Sequence, residues 1–199
     1  MDGAGRMTLD DAVIVAIGGN LAGDFGSPQA LLEAALSAFF QAGLPVVRRS
    51  SWWRSAAWPD PTGQEYRNGV VLVETRFSAE ETIRTLFSIE SAFGRARQLK
   101  NAPRTLDLDL IAYGRTIRED VDLTLPHPRA HERLFVMGPL AEIAPTWCHP
   151  RLGVTAQDLA AAAVVGLDAH SIGLADQTVL NQASDGGVTS RIDGPLRGR

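Results

Sequence analysis

Pro103-Arg104-Thr105-Leu106-Asp107-Leu108-Asp109-Leu110-Ile111 alternates aspartate with leucine, and a period of two is the period of a β-strand. Residues i and i+2 of a strand share a face, so Asp107 and Asp109 point to one side and the leucines to the other. The strand rise sets the two carboxylates ~6.6 Å apart. Their repulsion is ~0.6 kcal/mol in bulk water and ~2.5 kcal/mol at an effective dielectric of about 20. A wet surface tolerates the first figure, whereas a cleft at the second attracts cations. Oxygen donors at this spacing suit a hard ion such as Mg²⁺, which keeps waters and takes phosphate oxygens as further ligands. On the alternation alone, a half-buried strand with a solvated acidic face remains the favoured reading.

Upstream of this strand the pattern changes period several times. Val13-Ile14-Val15-Ala16-Ile17 is a short apolar run that predicts a buried central strand, ended by a turn at Gly18-Gly19-Asn20. Ser27-Pro28 offers an N-cap and a proline at the first helical position. Leu31, Leu32, Ala35, Leu36, Phe39 and Phe40 then share a helical face, and Gly43 is placed to stop that helix. A second strand is predicted from Val46 to about Ser55, and a third from Asn68 to Thr75, with a Pro/Asp/Gly-rich loop between them. Ser78 and Glu81 form a capping box for a second helix, whose apolar face carries Ile83, Leu86, Phe87, Ile89 and Phe93. Gly94 ends it, and a basic loop from Arg95 to Arg104 leads into the acidic strand.

The order strand, helix, strand, strand, helix, strand predicts an α+β, ferredoxin-like βαββαβ fold. It has a four-stranded antiparallel sheet with both helices on one face and the other face open for a site. C-terminal helical additions are predicted near residues 133–143 and 156–165. One domain is expected over residues 12–165, with residues 1–11 and 166–199 as weakly ordered polar tails. The 199 residues carry a formal net charge of −4, which gives no basic footprint for nucleic acid. No apolar run reaches membrane-spanning length and the N-terminus lacks a signal-type apolar core, so no membrane partner is expected. The single cysteine, Cys148, fits a reducing, cytoplasmic setting.

Arg95, Arg97, Lys100 and Arg104 precede the acidic strand, and His127, Arg129, His131 and Arg133 follow it. Arginines that can fork onto phosphate oxygens beside metal-type carboxylates make a coherent polyphosphate site. Solvated loop arginines in weak surface pairs account for the same residues. Trp52, Trp53 and Trp58 lie shortly before Tyr66 and Asn68. Aromatic faces with an amide could sandwich a flat heterocycle, although core packing is the plainer reading of any single ring. There is no Walker loop, no dinucleotide-type glycine fingerprint and no metal-type Cys/His spacing.

Taken together, several stretches resemble the 6-hydroxymethyl-7,8-dihydropterin pyrophosphokinase family. They are Ala16-Ile17-Gly18-Gly19-Asn20-Leu21, Tyr66-Arg67-Asn68, Glu90 followed by Gly94-Arg95-Ala96-Arg97, the string from Pro103 to Asp109, Pro126-His127 with Arg133-Leu134-Phe135, and Pro139 to Pro145. The likeness covers about residues 12–160. It implies the ferredoxin-like fold and transfer of diphosphate from ATP to the pterin hydroxymethyl group, giving the pterin diphosphate and AMP, in tetrahydrofolate biosynthesis.

The resemblance further implies that Asp107 and Asp109 hold two Mg²⁺ ions on the ATP phosphates, with Arg95 and Arg104 most closely tied to the chemistry. It implies nucleotide contacts for Glu90, Arg97, Arg104, His127 and Arg133. Pterin contacts fall to Ser55 and Ala56 through their backbone, to stacking by Tyr66 and Phe135, and to the Asn68 amide. The substrates are then two small molecules, handled by a monomer or homodimer. Where the family's best-known members carry Trp-Gly just before Pro-Arg, this chain has Asn101-Ala102, so a stacking residue of the loop is absent. The alternatives are a non-catalytic ferredoxin-like ligand-binding module and a pterin- and ATP-binding pseudoenzyme.

Overall fold

The structure, a computed structural model, describes residues 8–57, 62–94 and 105–173. Strand β1 (Val13–Gly19) leads through a loop to helix α1 (Pro28–Gln41). Strands β2 (Val46–Arg49), β3 (Trp52–Ser55) and β4 (Tyr66–Val73) follow, then helix α2 (Ala79–Ala92) and strand β5 (Asp107–Tyr113). Two short strands, β6 (Arg118–Glu119) and β7 (Thr124–Leu125), pair with each other. Helices α3 (Leu134–Ile143) and α4 (Ala156–Ala161) and strand β8 (His170–Gly173) complete the described chain. The sheet runs β5-β1-β4-β3-β8, with β2 also on β4, and every pairing is antiparallel. This is the α+β, ferredoxin-like arrangement, with the acidic strand β5 beside the central β1.

Local signals account for the N-terminal ends of α1 and α2. The Ser27 hydroxyl accepts the Ala30 N–H at 3.1 Å with Pro28 at the first turn, and Ser78 and Glu81 form the capping box. These bonds satisfy N–H groups that the first helical turn leaves without partners. The predicted second strand is broken in two. At Ser50 the backbone N–H donates to Val70 O while Ser50 Oγ accepts the Val70 N–H, so a hydroxyl takes one rung of the ladder and the register shifts. The predicted turn at Gly18-Gly19-Asn20 comes later, because β1 stays paired through Gly19.

Two cores sit on opposite faces of the sheet, and strand parity assigns them. Val13, Val15 and Ile17 of β1, Val71 and Val73 of β4, and Leu108 and Leu110 of β5 pack against α1 and α2. Ile14, Val70, Leu72 and Ile111 pack on the other face against Val136, Met137 and Leu140 of α3. The second face is therefore not open over its whole length, as the six-element pattern predicts. Its far half is covered by α3 and α4, and only the near half is left for a site. The cover is fastened by Glu142, which accepts the Trp53 indole N–H at 2.7 Å and the Ser51 N–H at 2.9 Å. On the opposite face Glu33 of α1 accepts two Arg49 bonds at 2.8 Å and the Trp52 indole N–H at 2.7 Å. Burial pushes the Glu33 carboxyl up, but the Arg49 and Trp52 bonds outweigh it and hold the group below its ordinary value.

Two C-terminal expectations need correction. Helix α4 ends at Ala161 rather than near 165, because the Val164 and Val165 N–H groups leave the helical path to donate to Glu132 O at 3.0 and 2.9 Å. The chain is also still part of the sheet beyond residue 166. Strand β8 pairs with β3 although its four residues are exposed and carry no apolar periodicity.

The corner after α3 holds a histidine that makes stability depend on pH. His149 is 5% exposed, and its Nδ1 accepts the Arg151 and Leu152 N–H groups at 3.3 and 3.2 Å. Burial, with smaller contributions from His131, Arg151 and Arg115, lowers it to about 4. An unfolded histidine titrates near 6.5, so below that pH the unfolded chain binds a proton that the folded chain refuses. Stability from this group is complete above about pH 6.5 and is lost as pH falls toward 4. At pH 5.5 the expected loss relative to pH 7.5 is about 1.4 kcal/mol. Thermal melts at the two pH values should show it, and His149→Asn, whose side-chain oxygen can accept the same N–H groups, should remove that part of the difference.

Candidate active site

The uncovered half of the second face carries the even-numbered residues of β1 and β4 and the odd-numbered residues of β5. The register places Asp109 opposite Ala16, Asp107 opposite Gly18, and Gly18 opposite Asn68. One lateral row therefore reads acid, glycine, amide, spanning two strand spacings or about 10 Å. Gly18 makes the floor of that row. A Cβ on it would come within 3.2 Å of Asn68 Oδ1, so any side chain there would fill the space between the carboxylate and the amide. A one-residue register shift between β1 and β5 lets Ile111 and Ala112 both enter the second core while the two aspartates keep the site face.

Above this floor lies a cavity of about 350 Å³. At one end it is lined by Asp107, Asp109, His127, Arg129 and Arg133, and at the other by Ser55, Ala56, Tyr66, Asn68 and Phe135. The two ends differ in chemistry. The first is ionic; the second presents two aromatic rings and one amide. Asn68 Nδ2 donates to Ser55 Oγ at 3.0 Å, which fixes the amide with Oδ1 turned toward Gly18. The Arg133 guanidinium sits 5.8 Å over the Phe135 ring and joins the two ends.

His127 is carried to the cavity by the connector after β7, where its N–H donates to Ile111 O at 2.8 Å. Burial pulls the imidazole below its ordinary value, opposed by Asp109 and assisted by Arg133. Its Nδ1 accepts the Arg129 N–H at 3.2 Å. A neutral ring with Nδ1 as acceptor carries its proton on Nε2, so His127 can donate a hydrogen bond to an anion. Burial also lowers Arg133, with Asp109 the largest opposing influence. Among the described residues, two carboxylates against two arginines and a neutral imidazole leave this end close to neutral. It can take a polyanion together with a divalent cation.

Of the residues expected from sequence, nine line this cavity: Ser55, Ala56, Tyr66, Asn68, Asp107, Asp109, His127, Arg133 and Phe135. Glu90 does not. It is 1% exposed on the buried side of α2, and its carboxylate accepts the Leu108 N–H at 2.7 Å. It therefore bonds β5 at the residue between the two aspartates. Arg95, Arg97, Lys100, Asn101, Ala102 and Arg104 lie outside the described residues, as does Trp58. Trp52 is buried in the core beneath the sheet, and the Trp53 ring packs against Gly138 of α3, so neither sandwiches a ligand. Gly18 is a lining residue to which the sequence gave no site role, whereas Arg129 was already among the cations that follow the acidic strand. Gly18 was visible in a turn signal and in one of the family-like stretches, and its pairing with Asn68 emerges only from the register.

Among the described residues no group of three or more His, Cys, Asp or Glu side chains could hold a metal alone. Asp107 and Asp109 fit a metal that completes its shell with waters and ligand phosphates, because both are hard oxygen donors on one strand face. Among these residues, no helix is long and apolar enough to cross a membrane.

Comparison with known proteins agrees with this geometry. The profile of the family described as 7,8-dihydro-6-hydroxymethylpterin-pyrophosphokinase matches residues 14–145. A Synechocystis protein named 2-amino-4-hydroxy-6-hydroxymethyldihydropteridine pyrophosphokinase is 47% identical over 143 residues, 71% of each chain. A Bacillus subtilis protein of the same name is 34% identical over 140 residues, covering 68% of this chain and 79% of that one. Among solved structures, a Plasmodium falciparum HPPK-DHPS crystal structure superposes with a TM-score of 0.58 at 12% identity. The match covers 80% of this chain and 45% of that one. At that identity the likeness concerns the fold.

Proposed function

The chain belongs to the 7,8-dihydro-6-hydroxymethylpterin-pyrophosphokinase family, and on that premise we propose that its two-ended cavity binds ATP phosphates at the ionic end and the pterin at the aromatic end. The activity is that of a pyrophosphokinase in folate biosynthesis. It moves diphosphate from ATP to 6-hydroxymethyl-7,8-dihydropterin and releases AMP. One observation carries the reading: a single cavity brings both aspartates, His127 and Arg133 within reach of Tyr66, Asn68 and Phe135.

In this reading Tyr66 and Phe135 stack on the flat pterin, and Asn68 Oδ1 accepts from the ring's N–H edge over the Gly18 floor. Ser55 holds the amide in that orientation. Arg133 and the neutral His127 donate to phosphate oxygens, and Arg129 adds charge at the rim. Arg95, Arg97 and Arg104 belong to the proposal through the family resemblance. Asp107 and Asp109 would hold Mg²⁺, two ions in the expectation, which when bound neutralises phosphate charge and helps the AMP leave. The residues' own part would be to hold the hydroxymethyl end of the pterin toward the ATP phosphates. Such positioning supplies a large share of the acceleration in phosphoryl transfer.

The proposal extends to a cytoplasmic monomer or homodimer, and the free thiol of Cys148 suits a reducing compartment. Incubation with Mg²⁺, ATP and hydroxymethyldihydropterin, followed by chromatography, should yield AMP and pterin diphosphate. ADP as the nucleotide product would overturn diphosphate transfer. Binding of both substrates without product would leave a pseudoenzyme.

A further inference from the structure

Behind the aromatic end of the cavity runs a stretch that lies beyond the family match at residue 145. After α4 the chain returns along the segment that carries Arg133 and Phe135. The Val165 N–H donates to Glu132 O at 2.9 Å, the Leu134 N–H donates to Val165 O at 2.9 Å, and Val165 forms a parallel bridge with Arg133. Arg133 is thereby clamped by backbone bonds on both sides. The next residue, Gly166, has φ +69, and a Cβ on it would stand 2.4 Å from Phe135 Cδ1. Only glycine combines that left-handed backbone with so close an approach of the Cδ1–Cε1 edge of the ring. A turn then forms, with the Ala169 N–H donating to Gly166 O at 2.9 Å. The turn presents Asp168, whose Oδ2 accepts the Ala56 N–H at 2.5 Å.

We infer that residues 164–168 are the back wall of the pterin subsite, and that Gly166 and Asp168 are positioning residues that set the Phe135 ring and the Ala56 backbone for pterin binding. The inference rests on assigning Tyr66, Phe135 and Ala56 to the pterin side of the cavity. Its consequence for Ala56 is specific. With the N–H committed to Asp168, the backbone contact of Ala56 with a pterin is made through its carbonyl oxygen. Asp168 touches no substrate; it fixes the direction of that carbonyl by holding the adjoining peptide. Gly166 likewise acts through Phe135, because a side chain there would push the ring into the cavity. Charge-assisted bonds from a carboxylate to a backbone N–H are among the stronger single contacts, so losing this one should be measurable.

The test is steady-state kinetics with ATP and hydroxymethyldihydropterin, each varied with the other saturating, plus a thermal melt for every variant. Asp168→Ala should raise the pterin KM about tenfold, with the ATP KM within about twofold and kcat within about threefold. Asp168→Asn keeps an oxygen acceptor and should restore most of the pterin KM. Gly166→Ala should raise the pterin KM as well; should it fail to fold, the Asp168 pair decides alone. Tyr66→Ala, a change at the stacking ring itself, is the reference. A normal pterin KM in Asp168→Ala, with a raised one in Tyr66→Ala, overturns the wall and leaves the site standing. A normal pterin KM in Tyr66→Ala refutes the site assignment, and the wall with it. Equal rises in both KM values, unrescued by asparagine, would mean that Asp168 serves general folding only.

Discussion

Asp109→Ala and Asp107→Ala should each lower kcat by about 10³-fold or more, the scale set by losing several kcal/mol of charge stabilisation from a bound cation. The same variants should melt at the wild-type temperature or slightly above it. Both carboxylates sit half-buried on one face of β5, and their mutual repulsion is a cost that the folded chain carries for another purpose. At an effective dielectric of about 20 that cost approaches ~2.5 kcal/mol for the bare pair. Arg133 offsets part of it, since Asp109 is the largest influence favouring its charged form. Removing one aspartate relieves the repulsion, and its cross-strand neighbours on β1 are the small residues Gly18 and Ala16. Lost activity without lost stability marks a group kept for function. AMP release measured across Mg²⁺ concentrations, beside a thermal melt, gives both readings. A variant that keeps near-normal kcat would remove the metal assignment.

What could be read from the chain, and what could not, follows from the range of the forces involved. The helices α1 and α2 announce themselves in Ser27-Pro28 and in the Ser78/Glu81 box because capping is settled within one turn. The alternation in β5 fixed which face each aspartate takes, since side-chain parity is a property of one strand. Three things depended on distant partners and were misread or missed. The break at Ser50 is made by a hydroxyl bonding to Val70, a pairing invisible until β2 and β4 are aligned. The end of α4 is set by Glu132 O drawing off Val164 and Val165. β8 is exposed and polar, so no hydrophobic period marks it. The candidate site residues come from the resemblance, and the register shows which of them share a face: Gly18 looked like a turn glycine and lies between Asp107 and Asn68.

Glu90 separates the two kinds of reasoning most sharply. The resemblance sets it near the nucleotide, whereas the structure buries it on α2 with its carboxylate on the Leu108 N–H. Leu108 lies between the two aspartates, so this bond holds the strand at the point from which both project. Glu90→Ala removes the acceptor of a buried N–H and opens space beneath the strand, at an expected cost of about 2–4 kcal/mol. The melting temperature should fall by roughly 4–16 °C for a chain of this size. Turnover should fall as well, because the aspartates lose their fixed position. Glu90→Gln is the decisive variant: its amide oxygen can still accept the Leu108 N–H, while the charge is gone. If Glu90 is a strut, the glutamine variant keeps most of the wild-type kcat and ATP KM, and its melting point stays well above that of Glu90→Ala. If it acts on the nucleotide by charge, the glutamine variant melts normally and yet changes the ATP KM as strongly as alanine does. The first outcome follows from the bond itself: a carboxylate 1% exposed accepts the Leu108 N–H at 2.7 Å, and an amide oxygen can do the same.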